Sequence, residues 1–233
     1  RVKTGSGWTR PGRNTRPIAL QPYPGGLHAR PAGISLAELR KEKHSLGAAA
    51  VNDQHGNTWM GLVYETRIEN YKPLKSLCFR HYYLTLPGLP LLVITAEVVS
   101  GTGFANFESI PLMGFFAPGG KVENCRVHLP LDANRWQSLD AGREDVRLWE
   151  SMRHLSVENK NAGRLLQILS PGKANTGFHI DKAVARFRMV RFGPRLLDYP
   201  KWLKPVFIIF SPQRLEWASC GQLLDLRFGP ASP

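Results

Sequence analysis

Cysteine is scarce in this sequence, and the few residues present are not paired. Three occur, Cys78, Cys125 and Cys220, and no two of them form a C-x-x-C motif. An odd, sparse count argues against a secreted disulfide framework and against a zinc site built from cysteine pairs. The N-x-S/T acceptor for N-glycosylation is also missing from the sequence. We therefore expect the chain to work in a reducing compartment.

Long apolar runs are missing as well. No stretch reaches the roughly 18 apolar residues of a membrane-spanning helix. The longest apolar stretches, LPGLPLLVITAEVV and PVFIIF, have the length of buried strands. The 233 residues are 42% hydrophobic and 21% charged, which is typical of a globular protein. We expect a folded chain without a transmembrane segment.

Acidic residues are missing from two segments, and these segments hold most of the formal charge of +13. Residues 1–34 contain six Lys or Arg and no acid, and Lys182 to Arg195 contains five basic residues and no acid. The stretch between them is almost neutral, with 16 basic and 15 acidic residues. Charge of one sign concentrated in this way indicates a polyanion or an acidic surface as the partner.

The first of these segments, residues 1–34, is dense in Gly, Pro and Arg and has no helical or strand period. It predicts an extended basic arm, followed by a single β-rich globular domain at residues 35–233. Trp8 is an apolar residue in this arm, and we expect it to anchor the arm in a pocket of a partner. The sequence begins without Met and has a pI of about 10.1, which fits a mitochondrial matrix protein whose targeting segment has been removed.

The rest of the chain indicates a mostly β fold. Short β-type runs separated by turn residues, among them TWMGLVYETRI, LCFRHYYLTL and KVENCRVHL, predict a β sandwich or a curled antiparallel sheet. SLAELRKEKHSLG predicts a surface helix, because Ser35 and Glu38 can form a capping box and Gly47 can end it. DVRLWESMRHL and AGRLLQIL are also helix-like, so we expect two or three helices in all.

The second basic segment, KAVARFRMVRFGPR, alternates like a strand. Alternation puts Ala185, Phe187 and Met189 on one face and Arg186 and Arg188 on the other. Arginines on such a face can hold phosphates bidentately. The alternative is a solvated face on which the arginines pair with acids of neighbouring strands. The candidate contacts to RNA or to an acidic partner are Arg1, Lys3, Arg10, Arg13, Arg16, Arg30, Lys182, Arg186, Arg188, Arg191 and Arg195.

Motifs for catalysis or metal binding are incomplete. GFFAPGGK has Phe115 where a P-loop needs its first Gly, and a Pro-Gly-Gly turn explains it. The two C-x-x-H pairs, Cys78 with His81 and Cys125 with His128, could supply four zinc ligands. A three-residue offset on a strand, however, points the two side chains of each pair to opposite faces. We expect no catalytic residue, no bound metal and no cofactor.

The stretch CFRHYYL leaves two interpretations open. Alternation places Phe79, His81 and Tyr83 on one strand face and Arg80 and Tyr82 on the other. Such a face could stack exposed bases beside a cation. Packing in a hydrophobic core explains the same pattern, and no RNA-binding consensus of aromatic residues accompanies it.

Three functional hypotheses follow, and the first is our expectation. It is a non-catalytic structural subunit of a mitochondrial ribosome that binds rRNA through the arm and the basic strand and also contacts neighbouring proteins. The second is an accessory subunit of a respiratory-chain or ATP synthase complex, with the arginines on acidic subunits or anionic lipid headgroups. The third is a soluble enzyme whose site is assembled from dispersed residues.

Overall fold

The computed structural model describes part of the chain and contains mainly β-strands. The described residues are 2–4, 7–9, 30–31, 33–101, 105–116, 122–130, 135–141, 147–148, 154–161, 163, 165–169, 175–181, 186–192, 195–196, 201–202, 205–211 and 225–229. Every strand pairing within them is antiparallel. The prediction of a mostly β, antiparallel fold is therefore confirmed, whereas the sandwich arrangement stays a prediction.

A ten-stranded sheet, which we call the large sheet, forms the centre of the described structure. Its main path runs β10-β9-β12-β13-β18-β7-β6-β5-β4, and β17 pairs with β7. The strands are β4 (Lys43–Asn52), β5 (Thr58–Arg67), β6 (Cys78–Thr85), β7 (Leu91–Ser100), β9 (Cys125–Pro130), β10 (Trp136–Asp140), β12 (His154–Asn159), β13 (Leu165–Leu169), β17 (Lys201–Trp202) and β18 (Val206–Ser211).

Each face of the large sheet buries its own hydrophobic cluster. Along β6, Phe79 and Tyr83 belong to one cluster, whereas Tyr82 and Leu84 belong to the other. This assignment follows from the alternation of side chains along a strand. Because both faces are covered, the central strands β6, β7 and β18 read as nearly continuous apolar runs.

A second sheet, which we call the small sheet, has six strands in the order β11-β14-β15-β8-β16, with β3 also paired to β8. Its strands are β3 (Arg30–Pro31), β8 (Ala105–Phe116), β11 (Arg147–Leu148), β14 (Asn175–Asp181), β15 (Arg186–Phe192) and β16 (Arg195–Leu196). The β14–β15 register is regular, whereas a register shift at Met189/Val190 marks a bulge between β15 and β8. The described part of the basic segment therefore contains a strand at Arg186–Phe192, as predicted.

The predicted helices are largely wrong. The capping box is present: Ser35 Oγ accepts from the backbone N–H of Glu38 at 3.2 Å, and Glu38 Oε2 accepts from the N–H of Ser35 at 3.0 Å. The helix it starts, α1, ends after one turn (Leu36–Leu39), and Lys43 already belongs to β4. The two other helix-like stretches contain strands β11, β12 and β13. The other described helices are 3-10 turns, Lys72–Leu74 and Val122–Asn124.

The predicted arm contains strands at both ends. Strands β1 (Val2–Thr4) and β2 (Gly7–Thr9) pair as a small hairpin. Arg30 and Pro31 form β3, which pairs with β8 in the small sheet. The boundary between arm and domain at residue 34 stays a prediction. Among the described helices, none is long and apolar enough to cross a membrane.

Two buried carboxylates fix turns next to the edge hairpin β4–β5. Asp53 accepts from the N–H groups of His55 (2.8 Å) and Asn57 (3.0 Å), from Asn57 Nδ2 (3.0 Å) and from Trp59 Nε1 (2.9 Å). Glu42 accepts from the backbone N–H groups of residues 69, 70 and 71 at 2.7–3.0 Å. Burial alone would raise the pKa of each carboxyl, but these hydrogen bonds outweigh it and lower both pKa values.

Candidate functional site: a basic sheet and a buried polar row

The basic strand β15 lies inside the small sheet, between β14 and β8. Its register places Arg188 opposite His179 of β14 and Gly114 of β8. His179 in turn lies opposite Arg147 of β11. Arg147, His179 and Arg188 therefore form one transverse row across three neighbouring strands, which we call the basic row. Residues directly opposite each other in an antiparallel pair share one face of the sheet.

Arg186 has a different neighbour from Arg188. It lies opposite Asp181 of β14, two positions along the strand from the basic row. An acid directly opposite an arginine is the arrangement that the alternative interpretation, cross-strand charge pairing, requires. The register thus separates two arginines that the sequence treats alike: Arg188 has no acid directly opposite on either neighbouring strand, whereas Arg186 has one.

The other predicted contact residues are spread over several elements. Arg191 also lies in β15, opposite Thr176 of β14 and Ile110 of β8. Arg30 is in β3, Arg195 is in β16, and Lys3 lies opposite Trp8 in the β1–β2 hairpin. Arg1, Arg10, Arg13, Arg16 and Lys182 lie outside the described residues.

The four candidate zinc ligands do not come together. Cys125 lies in the cluster on one face of the large sheet, and His128, three residues on, bonds Ser138 and Glu158 on the other. Burial raises the pKa of the Cys125 thiol to about 12, and burial together with Glu65 raises the pKa of Cys78. Among the described residues, no three His, Cys, Asp or Glu side chains form a metal-binding group.

The aromatic stretch on β6 is core and not a stacking platform. Phe79, His81 and Tyr83 are at most 6% exposed, and Tyr82 is 5% exposed. Arg80 donates to Glu65 Oε2 at 2.7 Å, and Tyr82 donates its hydroxyl to Glu97 at 2.8 Å. The side chains that could have stacked on bases are therefore buried, and the neighbouring cation is paired with an acid. The interpretation of this stretch as a platform for base stacking is therefore wrong.

A second feature could not be seen in the sequence: a row of polar residues across four strands of the large sheet. Strand register places Ser138, His128, Ser156 and Gln167 side by side, from β10 through β9 and β12 to β13. His128, Ser156 and Gln167 are at most 4% exposed. We call these four residues the polar row. Its members come from strands up to 39 positions apart, so no local pattern reveals it.

The exposed end of the polar row contains a hydrogen-bonded Ser-His-Glu chain. His128 Nδ1 lies 2.8 Å from Ser138 Oγ, and its Nε2 lies 2.8 Å from Glu158 Oε2. An imidazole that donates from Nε2 to the carboxylate leaves Nδ1 free to accept from the serine hydroxyl. Nucleophilic catalysis uses this order of groups, but it also needs donors for an oxyanion. Ser138 lies inside a paired strand, and no described helix N-terminus or turn next to it supplies such donors.

Comparison with known proteins assigns no family. No protein-family model matches this chain, and no curated protein sequence matches it significantly.

Proposed function

We propose that this chain is a non-catalytic, RNA-binding structural subunit of a mitochondrial ribosome, located in the matrix. The observation that carries the proposal is the basic row, in which Arg147, His179 and Arg188 lie side by side across three strands. Phosphates of a nucleic-acid backbone neutralise such a row and release counterions, which gives strong, salt-sensitive binding without sequence preference.

The distribution of charge supports the same proposal. The strands of the small sheet hold six basic and two acidic residues, a net charge of +4, whereas those of the large sheet hold five basic and four acidic residues. The excess is concentrated in one sheet, as a binding surface for a polyanion requires. The basic arm adds +6 within residues 1–34 and would extend the contact along RNA. Cys78 is a buried free thiol, which suits a reducing matrix.

The test is sedimentation of the native protein from mitochondrial lysate, with and without ribonuclease. We expect a heavy particle that ribonuclease shifts to a lower sedimentation coefficient. In parallel, Arg186→Glu combined with Arg188→Glu should leave the fold intact and weaken incorporation into the particle. Lys75→Glu is a charge control for this variant, because Lys75 is an exposed turn residue that belongs to neither sheet. Unchanged incorporation of the double variant would refute the role of β15.

A second candidate has an observation of its own. Leu46, Met60 and Leu62 are 61%, 56% and 40% exposed on the β4–β5 hairpin, and exposed apolar groups on neighbouring strands suit contact with a protein. This favours the accessory subunit of a respiratory-chain or ATP synthase complex. A particle that stays heavy after ribonuclease treatment would support this candidate over the ribosomal one.

A further inference from the structure

The exposed end of the polar row combines an accessible serine with a buried histidine. Ser138 is exposed on β10, whereas His128 on β9 is 4% exposed. An ionised carboxylate only accepts hydrogen bonds, so a neutral His128 donates from Nε2 to Glu158 at 2.8 Å. Its Nδ1 is then the acceptor for the Ser138 hydroxyl, also at 2.8 Å. A serine hydroxyl bonded in this way is activated as a nucleophile, because the imidazole takes up its proton.

Two serines flank His128 on neighbouring strands, and only one of them is accessible. Ser138 lies opposite His128 on β10, and Ser156 lies opposite it on β12. Ser156 is fully buried, and its hydroxyl has no hydrogen-bond partner among the described residues. A reagent from solution therefore reaches Ser138 but not Ser156.

The outer edge of β10 supplies a hydrogen-bond donor next to this serine. Ala141 N donates to Cys125 O at 3.1 Å, three positions along the ladder from the pair of Ser138 and His128. Hydrogen-bonded and non-hydrogen-bonded pairs alternate along an antiparallel ladder, so Ser138 and His128 form a non-hydrogen-bonded pair. The backbone N–H of Ser138 then points away from β9, and no described strand pairs with that side of β10. In serine proteases the N–H of the nucleophile is one of the donors that stabilise the oxyanion.

We propose that Ser138 is an acylation site, whose Oγ accepts an acyl group from a donor with a weakly basic leaving group, such as a thioester or an aryl ester. Oγ forms a bond to the carbonyl carbon while its proton moves to His128 Nδ1, and the N–H of Ser138 stabilises the oxyanion. The bond to the leaving group then breaks, and the leaving group takes the proton from His128. Glu158 holds the imidazole in the required tautomer, which makes it a positioning residue.

The acyl group stays on the protein, so the reaction modifies this chain and does not turn over a substrate. The ester formed at Ser138 has an alkoxide as its leaving group, which is more basic than a thiolate or an aryl oxide. Its hydrolysis is therefore slower than its formation. The lone edge donor does little to offset this, since each oxyanion donor contributes only about 10²–10³ in rate. Acylation of Ser138 needs no RNA, so it can be tested separately from the proposed function.

The test is acetylation of the purified full chain by p-nitrophenyl acetate, followed by peptide mapping with mass spectrometry. Ser45 is the internal control, because it is an exposed serine on the other edge strand of the large sheet, β4, and lies opposite Glu65 instead of a histidine. We expect Ser138 to be acetylated about 100-fold faster than Ser45, since a positioned general base contributes roughly 10²–10⁴ in rate. Acetylation of Ser138 that is no faster than that of Ser45 would overturn the proposal.

Two variants separate a reactive hydrogen-bonded chain from a merely structural one. Glu158→Gln keeps the shape of a side chain that is 34% exposed, but it removes the charge that stabilises the protonated imidazole. Acetylation of Ser138 should then fall about tenfold, with the rate at Ser45 unchanged. His128→Gln should lower the rate at Ser138 to that at Ser45. Near-UV circular dichroism checks that each variant is folded. A folded Glu158→Gln variant that reacts at the wild-type rate would refute the role of this chain of groups.

Discussion

The two sheets differ in what their strands contain. Strands of the large sheet build two hydrophobic clusters and hold nearly balanced charge, with Arg80 and Arg67 both bound to Glu65. Strands of the small sheet hold three times as many basic as acidic residues, and one transverse row of them contains no acid. Arginine paired within a sheet satisfies its own charge, whereas arginine without an opposed acid is available to an external anion. Under the proposed function, the large sheet supplies stability and the small sheet supplies RNA binding.

The largest effect on stability is expected at Gly61 in the large sheet. A Cβ at this position would collide with the carbonyl oxygen of Tyr83 and lie 2.9 Å from its carbonyl carbon. Because both obstacles are backbone atoms, Gly61→Ala must displace β5 from β6, and we expect a loss of about 3 kcal/mol in the free energy of unfolding. Urea denaturation followed by tryptophan fluorescence measures this change.

Gly47 provides the matched control for this prediction. An added Cβ there would meet only Val63 Cγ1, at 3.9 Å, which is ordinary contact distance. Gly47→Ala should change the free energy of unfolding by about 0.5 kcal/mol or less, with stabilisation as the favoured sign, since glycine weakens a strand interior. Equal destabilisation by the two alanines would contradict the close approach of β5 to β6.

A smaller effect is expected at Asp53, whose carboxylate closes the turn between β4 and β5. Asp53→Asn replaces one acceptor oxygen by an N–H₂ group that cannot accept from Trp59 Nε1 or from the backbone. We expect a loss of about 2 kcal/mol at neutral pH, because hydrogen bonds to charged groups are stronger than neutral ones. Asp225→Asn is the control, since Asp225 is exposed, and it should be close to neutral.

The pH dependence of stability checks the same residue. The pKa of Asp53 is lowered in the folded state, so its contribution is complete above the pKa of the unfolded carboxyl, near 3.8. That contribution is lost as the pH falls through the folded-state pKa. The difference in unfolding free energy between wild type and Asp53→Asn should therefore shrink below about pH 4. A difference that stays constant down to pH 2 would show that the carboxylate charge is not the cause.

The local sequence predicts a strand correctly where the alternation of side chains along the chain is clear. β6 is the clearest example, because its aromatic residues at positions 79, 81 and 83 share one face, as expected. The failures have one physical cause. Lys43–Asn52 pairs with β5, and His154–Asn159 pairs with β9 and β13, and pairing across a sheet outweighs a helix-like local pattern.

The candidate site follows the same rule. The sequence identified Arg186 and Arg188 through their shared strand, but not the difference between them, because only strand register places Asp181 opposite Arg186 and His179 opposite Arg188. The capping box was visible from Ser35 and Glu38, yet the length of the helix was not. Local chemistry is therefore predictable in this chain, whereas whatever depends on neighbours across a sheet is not.

A comparison of single arginine variants sharpens the contrast inside the small sheet. Arg188→Gln removes a cation with no opposed acid, and we expect it to lower RNA affinity about fivefold and to reduce the salt slope by about 1. Arg186→Gln removes a cation that faces Asp181, so its effect on affinity and on the slope should be smaller. Filter binding to a mixed-sequence RNA over a salt series measures both quantities. If the salt dependence of RNA affinity has the same slope in both variants, the acid opposite Arg186 does not determine which arginine binds RNA.

The smallest predicted effect lies at two neighbouring tyrosines of β6 that point to opposite faces of the large sheet. Burial, with a hydrogen bond to Glu97 in the case of Tyr82, raises the pKa of both hydroxyls, so both are protonated at neutral pH. The two hydroxyls should differ in what they contribute to the free energy of unfolding. Tyr82 donates to Glu97 at 2.8 Å, whereas no partner among the described residues accepts from the Tyr83 hydroxyl.

Phenylalanine substitutions at these two positions isolate the hydroxyl contribution. Tyr82→Phe leaves Glu97 without its phenolic donor and with Arg80 at 4.0 Å, and we expect a loss of about 1 kcal/mol in the free energy of unfolding. Tyr83→Phe removes a hydroxyl from an apolar cluster and should be neutral or slightly stabilising. Because both changes lie in the large sheet, RNA affinity should stay constant in each. A change in affinity for either variant would mean that the two sheets do not divide stability and binding between them.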